Sequence, residues 1–194
     1  MLHPVNDDRD YAQIVRQFEQ TGFARVPVTE ALARKIDRIY RLGEEFFVRS
    51  EAEKQSYSMQ SFVEGYRELG PEYSQVPERP DLTESFSAWN RNRGRAEVEE
   101  AMGGLELHRA LRDVSDDLSL IVGGIFRAMR DAWAPGNPDL RFYNGTYVQL
   151  NYYEPSQHNE ELLQDSHEDA HLLTLAKSNA PGLEIEVDGK FVSA

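Results

Sequence analysis

The sequence predicts an α+β protein, and three observations carry that expectation. Apolar residues recur at helical spacing through the first 55 or so positions and again over residues 105 to 133. Short alternating runs separated by turn residues fill the last third. Helices therefore come first and an antiparallel-looking sheet comes last, rather than alternating as they would around a parallel sheet.

Taken in order, the first helix begins after Asp8, where Tyr11, Ile14, Val15 and Phe18 share a face and Gly22 supplies a stop. F-A-R-V-P-V alternates and reads as a short strand. Thr29 is placed to cap a long helix whose stripe is Leu32, Ile36, Ile39, Tyr40, Gly43, Phe46 and Phe47. Ser50-Glu51-Ala52-Glu53 is a capping box that opens a second, shorter helix. From Gly65 to about Gly104 proline, glycine and aromatics predict loop and sheet, with E-S-F-S-A-W as a strand. Leu107, Leu111, Val114, Leu118, Ile121, Ile125 and Met129 then mark a helix that Ala134-Pro135-Gly136 ends. The remaining runs, T-Y-V-Q-L-N-Y-Y, H-L-L-T-L, L-E-I-E-V and K-F-V, read as strands divided by Pro181-Gly182 and Asp188-Gly189.

Composition excludes several functions. With 21 basic and 34 acidic residues the formal charge is -13, which repels polyphosphate backbones and anionic membrane surfaces. The chain contains no cysteine, so disulfides, thiolate metal sites and a cysteine nucleophile are ruled out. MLHPVNDDRDY has no signal-peptide pattern and no apolar run is long enough to span a bilayer, so the expectation is a cytoplasmic protein acting on a small molecule, binding neither nucleic acid nor membrane. Nothing in the sequence sets the oligomeric state.

The residues that bear chemistry lie at H-E-D-A-H, His167 to His171. As a helix this is H-E-x-x-H, in which two imidazoles one turn apart hold zinc and the glutamate serves as general base. A zinc hydrolase also needs a third ligand on a following helix, and the nearest candidates, Glu184 and Glu186, sit in a strand-like run. As a strand it is H-x-D, with His167 and Asp169 on one face about 6.5–7 Å apart along the backbone. Two histidines and one carboxylate form the facial triad that leaves open positions on Fe(II) for O2 and a second molecule.

The stretch S-H-E-D-A-H-L-L-T-L-A-K-S-N-A-P-G-L-E-I-E-V-D-G-K-F-V closely resembles the core of the Fe(II)- and 2-oxoglutarate-dependent dioxygenases, in their isopenicillin N synthase-like branch. L-N-Y-Y-E-P resembles the family's L-N-Y-Y-P-P, and F-E-Q-T-G-F-A-R-V-P-V, E-E-F-F-V-R-S-E-A-E-K and G-Y-R-E-L-G resemble its N-terminal helical region. The resemblance implies a distorted double-stranded β-helix, or jelly roll, preceded by helices. It implies one dioxygenase-like domain over residues 1–194, helical to about residue 64, with the start of the jelly-roll core from about 65 and the 105–133 helix supporting it. His167 and Asp169 would ligate Fe(II), Asn151 and Tyr153 would help bind 2-oxoglutarate as cosubstrate, and O2 would be used to hydroxylate, desaturate or cyclise a small molecule. Tyr66, Arg67, Glu84, Ser85 and Phe86 lie where the family shapes its substrate pocket, and His171 falls beside the ligands as a neighbour.

The resemblance also implies a second histidine about fifty residues after H-x-D and an R-x-S about ten residues later, which together complete the metal and cosubstrate sites. This chain ends 25 residues after Asp169, and His3, His108 and His158 are no obvious substitutes. The expectation is therefore an N-terminal portion of a longer protein, with an incomplete iron site and no activity alone. The alternative is a non-catalytic, degenerate relative that acts as a binding module.

Overall fold

The computed structural model describes residues 9–70, 73–75, 77–78, 81–153, 163–169 and 171–193. These form helices and antiparallel strands, an α+β arrangement, in two compact units. One unit takes Met1–Glu30, Leu118–Arg141 and Leu175–Ala194; the other takes Ala31–Asp117 and Phe142–Thr174. Among the described residues no helix is long and apolar enough to cross a membrane.

In the first unit, α1 spans Tyr11–Thr21 and buries Ile14 and Val15. Gly22, at φ 77°, closes the last turn as the sequence predicts, while the start lies two residues beyond the expected Asp8, with the Asp10 carboxylate accepting from the Gln13 amide at 2.9 Å. The C-terminal half of α5, Glu106–Trp133, belongs here. Gly124 on α5 meets the Tyr11 ring so closely that a Cβ would lie 2.2 Å from it. The Trp133 indole donates to Glu19 at 2.5 Å. A hairpin of β5, Glu184–Val187, and β6, Lys190–Ser193, turns through Asp188 and Gly189, both left-handed as a two-residue turn of this twist requires.

F-A-R-V-P-V is not a strand. Residues 23–29 are irregular and pair with no other strand among the described residues. Pro27 has no N–H to offer a ladder, and its carbonyl instead accepts from Arg9 Nε at 2.7 Å.

The second unit carries most of α2, Glu30–Phe47, then α3, Glu51–Gln55, and a four-stranded antiparallel sheet. The sheet runs in chain order: β1, Ser58–Met59; β2, Glu64–Arg67; β3, Glu84–Trp89; β4, Tyr147–Tyr152. The expected capping box is present, with Ser50 and Glu53 exchanging bonds at the start of α3. Within the stretch before Gly104 read as loop and sheet lies a helix, α4, Ala96–Met102, whose first turn holds Glu97 and Glu99 of the acidic cluster that reads in the sequence as a helix start. Its core contribution is only Val98 and Met102, too few to show as a periodic stripe.

Strand alternation divides this sheet into two chemically different faces. Tyr66, Phe86 and Leu150 align across β2, β3 and β4 on the face that packs against α2, where Phe46 lies edge-on to Phe86 at 5.0 Å and Phe47 stacks on Tyr152 at 4.9 Å. Gly43 lets α2 approach, since a Cβ there would stand 2.4 Å from Leu150 Cδ2. At the rim of this face the buried Lys54 ammonium reaches Glu84 at 2.6 Å and Glu51 at 3.1 Å, tying α3 to β3. The opposite face carries Arg67, Ser85, Ser87, Trp89, Tyr147, Gln149 and Asn151, again in register. Hydrophobic pressure fills the first face; the second is left to polar chemistry.

Candidate functional site

The polar face presents several groups able to bind a polar ligand. Ser87 Oγ donates to Gln149 at 3.0 Å, and the Gln149 amide donates to Asn151 at 2.7 Å. Ser85 Oγ and Trp89 Nε1 are buried without a hydrogen-bond partner among the described residues, an arrangement that costs free energy unless something else satisfies it. Trp89 stacks on Tyr147 at 4.2 Å, Arg91 lies over the Trp89 ring at 4.0 Å, and His171 tilts against Tyr147 at 5.4 Å. His171 thus belongs to an aromatic stack at this face.

The segment leading into His167 is held by side chains from two other parts of the unit. The Leu82 amide donates to the Leu163 carbonyl at 2.7 Å, and Gln75 Nε2 donates to the Ser166 carbonyl at 2.8 Å. Asp81, 5 % exposed, accepts from Gln164 Nε2 at 3.1 Å as well as from the amide and hydroxyl of Ser74 at 3.1 and 2.8 Å. The Tyr153 hydroxyl donates to Gln164 Oε1 at 2.8 Å. Burial raises the Tyr153 phenol above its ordinary range, with bonds to Asn151 and Thr83 acting in the opposite sense.

Within that frame His167 Nδ1 lies 2.9 Å from the Asp165 carbonyl. A carbonyl only accepts, so Nδ1 carries the hydrogen and the neutral ring keeps its lone pair on Nε2. Nε2 is 3.5 Å from Asp169 Oδ1. Two donors that each bind one ion at about 2.1 Å from adjacent corners stand about 3 Å apart, so this pair is close to the spacing a shared ion imposes. The donor types, one imidazole nitrogen and one carboxylate oxygen, suit Fe(II). Among the described residues no group of three or more such side chains converges, so His167 and Asp169 stand as a pair.

The backbone around them differs from both sequence readings. Residues 165–169 are neither helix nor strand, and 171–178 form no ladder either, so H-L-L-T-L is not a strand among the described residues. Without a helix the two histidines are not one turn apart, which removes the geometry a zinc hydrolase needs. A strand requires a hydrogen-bonded neighbour. This segment instead spends its carbonyls on Leu82, Gln75 and His167. His167 and Asp169 nonetheless come together, Nε2 and Oδ1 lying 3.5 Å apart.

The other sequence candidates separate by face. Arg67 and Ser85 are on the polar face; Tyr66 and Phe86 are core, and Glu84 is committed to Lys54 and to the Tyr66 hydroxyl. Asn151 and Tyr153 follow one another on the polar side, Tyr153 reaching Gln164. His108 is no spare ligand: it is 2 % exposed, and its Nε2 lies 2.7 Å from Glu64 Oε1. His3 and His158 lie outside the described residues. Asp81, Gln164 and Gln75 were missed by sequence reasoning, and no local pattern marks a pair separated by 83 positions.

Comparison with known proteins bears on the front of the chain. Residues 2–103 match the family model described as "non-haem dioxygenase in morphine synthesis N-terminal", a match that covers α1 to α4 and β1 to β3 and stops before β4 and His167. No curated protein and no solved structure matches the chain. Since that match takes in more than half of the 194 residues, the protein belongs to the non-haem dioxygenase family defined by this N-terminal region.

Proposed function

We propose that this chain provides the substrate-facing sheet and two of the three protein ligands of an Fe(II)-dependent oxygenase of the isopenicillin N synthase-like branch, with 2-oxoglutarate as cosubstrate. The observation that carries the reading is the pairing of His167 Nε2 with Asp169 Oδ1 at 3.5 Å, with Nδ1 held by the Asp165 carbonyl. Bound Fe(II) would supply activation of O2 for oxidation of a C–H bond. His167 and Asp169 would hold the ion from one side, and a second histidine, in the place the resemblance gives it, would complete the triad.

The chain's own residues have the remaining tasks. Asn151 and Tyr153 would orient the cosubstrate beside the metal, and Ser85, Trp89 and Gln149 would line the substrate side. The unsatisfied Ser85 hydroxyl and Trp89 N–H favour a substrate that brings hydrogen-bond acceptors to that face. The sheet extended into a jelly roll would exclude water from the reacting centre. The product class, hydroxylation, desaturation or ring closure, follows from which C–H bond is held nearest the metal.

The test is Mn(II) titration followed by NMR, Mn(II) being an O2-inert stand-in for Fe(II). The imidazole resonances of His167 are expected to broaden selectively, and Asp169→Ala to abolish the effect. Equal broadening at His171, or no dependence on Asp169, would refute the assignment. Oxygen uptake by the full-length protein with Fe(II) and 2-oxoglutarate then tests the cosubstrate.

A further inference from the structure

We infer that Gln164 and Asp81 are positioning residues: they form a relay that clamps the segment carrying His167 to the sheet and sets which way the Tyr153 hydroxyl points its proton. The inference rests on the reading of His167 and Asp169 as metal ligands and adds residues that neither the family match nor the sequence motif assigns.

Asp81 fixes the direction of the relay. An ionised carboxylate only accepts, so the Gln164 amide must turn its NH2 towards Asp81, at 3.1 Å, and its oxygen towards Tyr153, at 2.8 Å. The orientation of the amide follows from chemistry and not from the similar shapes of its two ends. The Tyr153 hydroxyl is then obliged to donate to Gln164, and it offers its lone pairs to other neighbours. Burial keeps the phenol protonated, so this polarity persists across the neutral range.

The same relay restrains His167. Ser74 holds Asp81 through two bonds, so the carboxylate is a fixed point. From it, Gln164 is pinned by side chain and Leu163 by the Leu82 amide, while Gln75 takes the Ser166 carbonyl. Leu163, Gln164 and Ser166, three of the four described residues from 163 to 166 that precede His167, are therefore tied to the rest of the unit through side-chain or backbone bonds outside any ladder. A segment with no strand partner has little else to hold an imidazole within the few tenths of an ångström that metal binding needs. In metal sites, loss of groups that orient a ligand typically costs 10–100-fold in affinity.

Two substitutions separate a clamp from a simple charge effect. Gln164→Leu removes both relay bonds at nearly constant volume. Asp81→Asn keeps them, because the amide can donate where the carboxylate accepted: Gln164 flips, and its NH2 then donates to the Tyr153 oxygen. The experiment uses the whole chain, with hydrogen exchange at residues 163–169 and Mn(II) broadening of the His167 ring as separate readouts. Gln164→Leu is expected to speed exchange in that segment at least about tenfold, leaving α5 unchanged, and to weaken Mn(II) binding about tenfold. Asp81→Asn is expected to stay within about twofold of the wild type in both, the rescue a clamp allows. Wild-type values in Gln164→Leu, faster exchange without weaker Mn(II) binding, or an Asp81→Asn defect as large as that of Gln164→Leu would each overturn the inference. If Gln164→Leu fails to fold, Gln75→Ala removes only the Ser166 bond; a smaller shift of both readouts in the same direction supports the clamp, and no shift overturns it. If Asp169→Ala leaves Mn(II) broadening of the His167 ring intact, it is the metal assignment that fails, and the exchange measurement still decides whether the clamp exists.

Discussion

Replacing Glu64 by glutamine probes a carboxylate whose side chain is wholly enclosed. Its two oxygens accept four bonds: His108 Nε2 at 2.7 Å and Arg112 Nη2 at 3.2 Å on Oε1, Asn92 Nδ2 at 2.8 Å and the Trp89 amide at 2.9 Å on Oε2. Burial by itself would raise this carboxyl, but the bonds from His108, Asn92 and the Trp89 amide outweigh it and hold the group below the usual carboxylate range. Glutamine keeps the shape and loses one acceptor oxygen. Whichever side takes the NH2, two donors then face a donor. Stranding a buried donor costs about 1–3 kcal/mol, so the pair would cost about 2–6; a His108 ring nitrogen that accepts the new NH2 spares one of them, which puts the expected loss at about 1–3 kcal/mol.

Urea unfolding at pH 7, with an unchanged denaturant slope, measures that loss. The sign of the pH dependence gives a second check. A depressed carboxyl stabilises the fold above its ordinary value near 4.5, and that contribution disappears as acid protonates it in the folded state. The gap between wild type and Glu64→Gln should therefore be full above about pH 5 and close progressively below it. A loss under about 1 kcal/mol at pH 7, or a gap that persists in acid, would refute the account of a charged, fully bonded carboxylate.

Further outcomes follow from the same geometry. Gly65→Ala should cost about 3 kcal/mol or more, since φ is 82° and a Cβ would sit 1.9 Å from the Tyr57 carbonyl; Gly22→Ala, also at positive φ but with nothing within 4 Å, should cost only about 1 kcal/mol, and thermal melts of the pair isolate the clash. Burial, with the Glu84 and Glu51 carboxylates adding, pushes the Tyr66 hydroxyl well above its ordinary range, so its contribution is complete below about pH 10 and is lost as pH rises further; Tyr66→Phe should blunt the alkaline limb of a stability–pH profile. Trp89→Phe, which removes a buried N–H without a partner among the described residues, should leave stability within about 1 kcal/mol of wild type by urea unfolding, while weakening any ligand that supplies an acceptor to the polar face.

Much of the fold was legible because local chemistry and tertiary packing agree. Gly22 ends α1, Ser50 and Glu53 open α3, and the apolar spacing of α5 survives from Leu107 to Trp133 as one helix. Those signals are carried within a few residues of where they act. F-A-R-V-P-V and H-L-L-T-L misled for the converse reason: alternation describes a strand that has a neighbour, and neither run has one among the described residues. For the site, H-x-D was visible as a tripeptide, and His167 and Asp169 do face each other. The parts that hold them were not visible, because Asp81 and Gln75 reach residues 83 and 91 positions away.

By itself, then, the sequence determined what is local: the helix ends, the hairpin turn at Asp188-Gly189, the absence of thiol chemistry, and a histidine and an aspartate two residues apart. Tertiary structure alone decided which sheet face is core and which is polar. It turned His108 inward to Glu64, and it replaced the expected strand at His167 with a segment held by side chains. The physical reason is that propensity and capping are interactions between near neighbours, whereas a buried carboxylate finds its donors, and the His167 imidazole its supports, wherever the folded chain brings them.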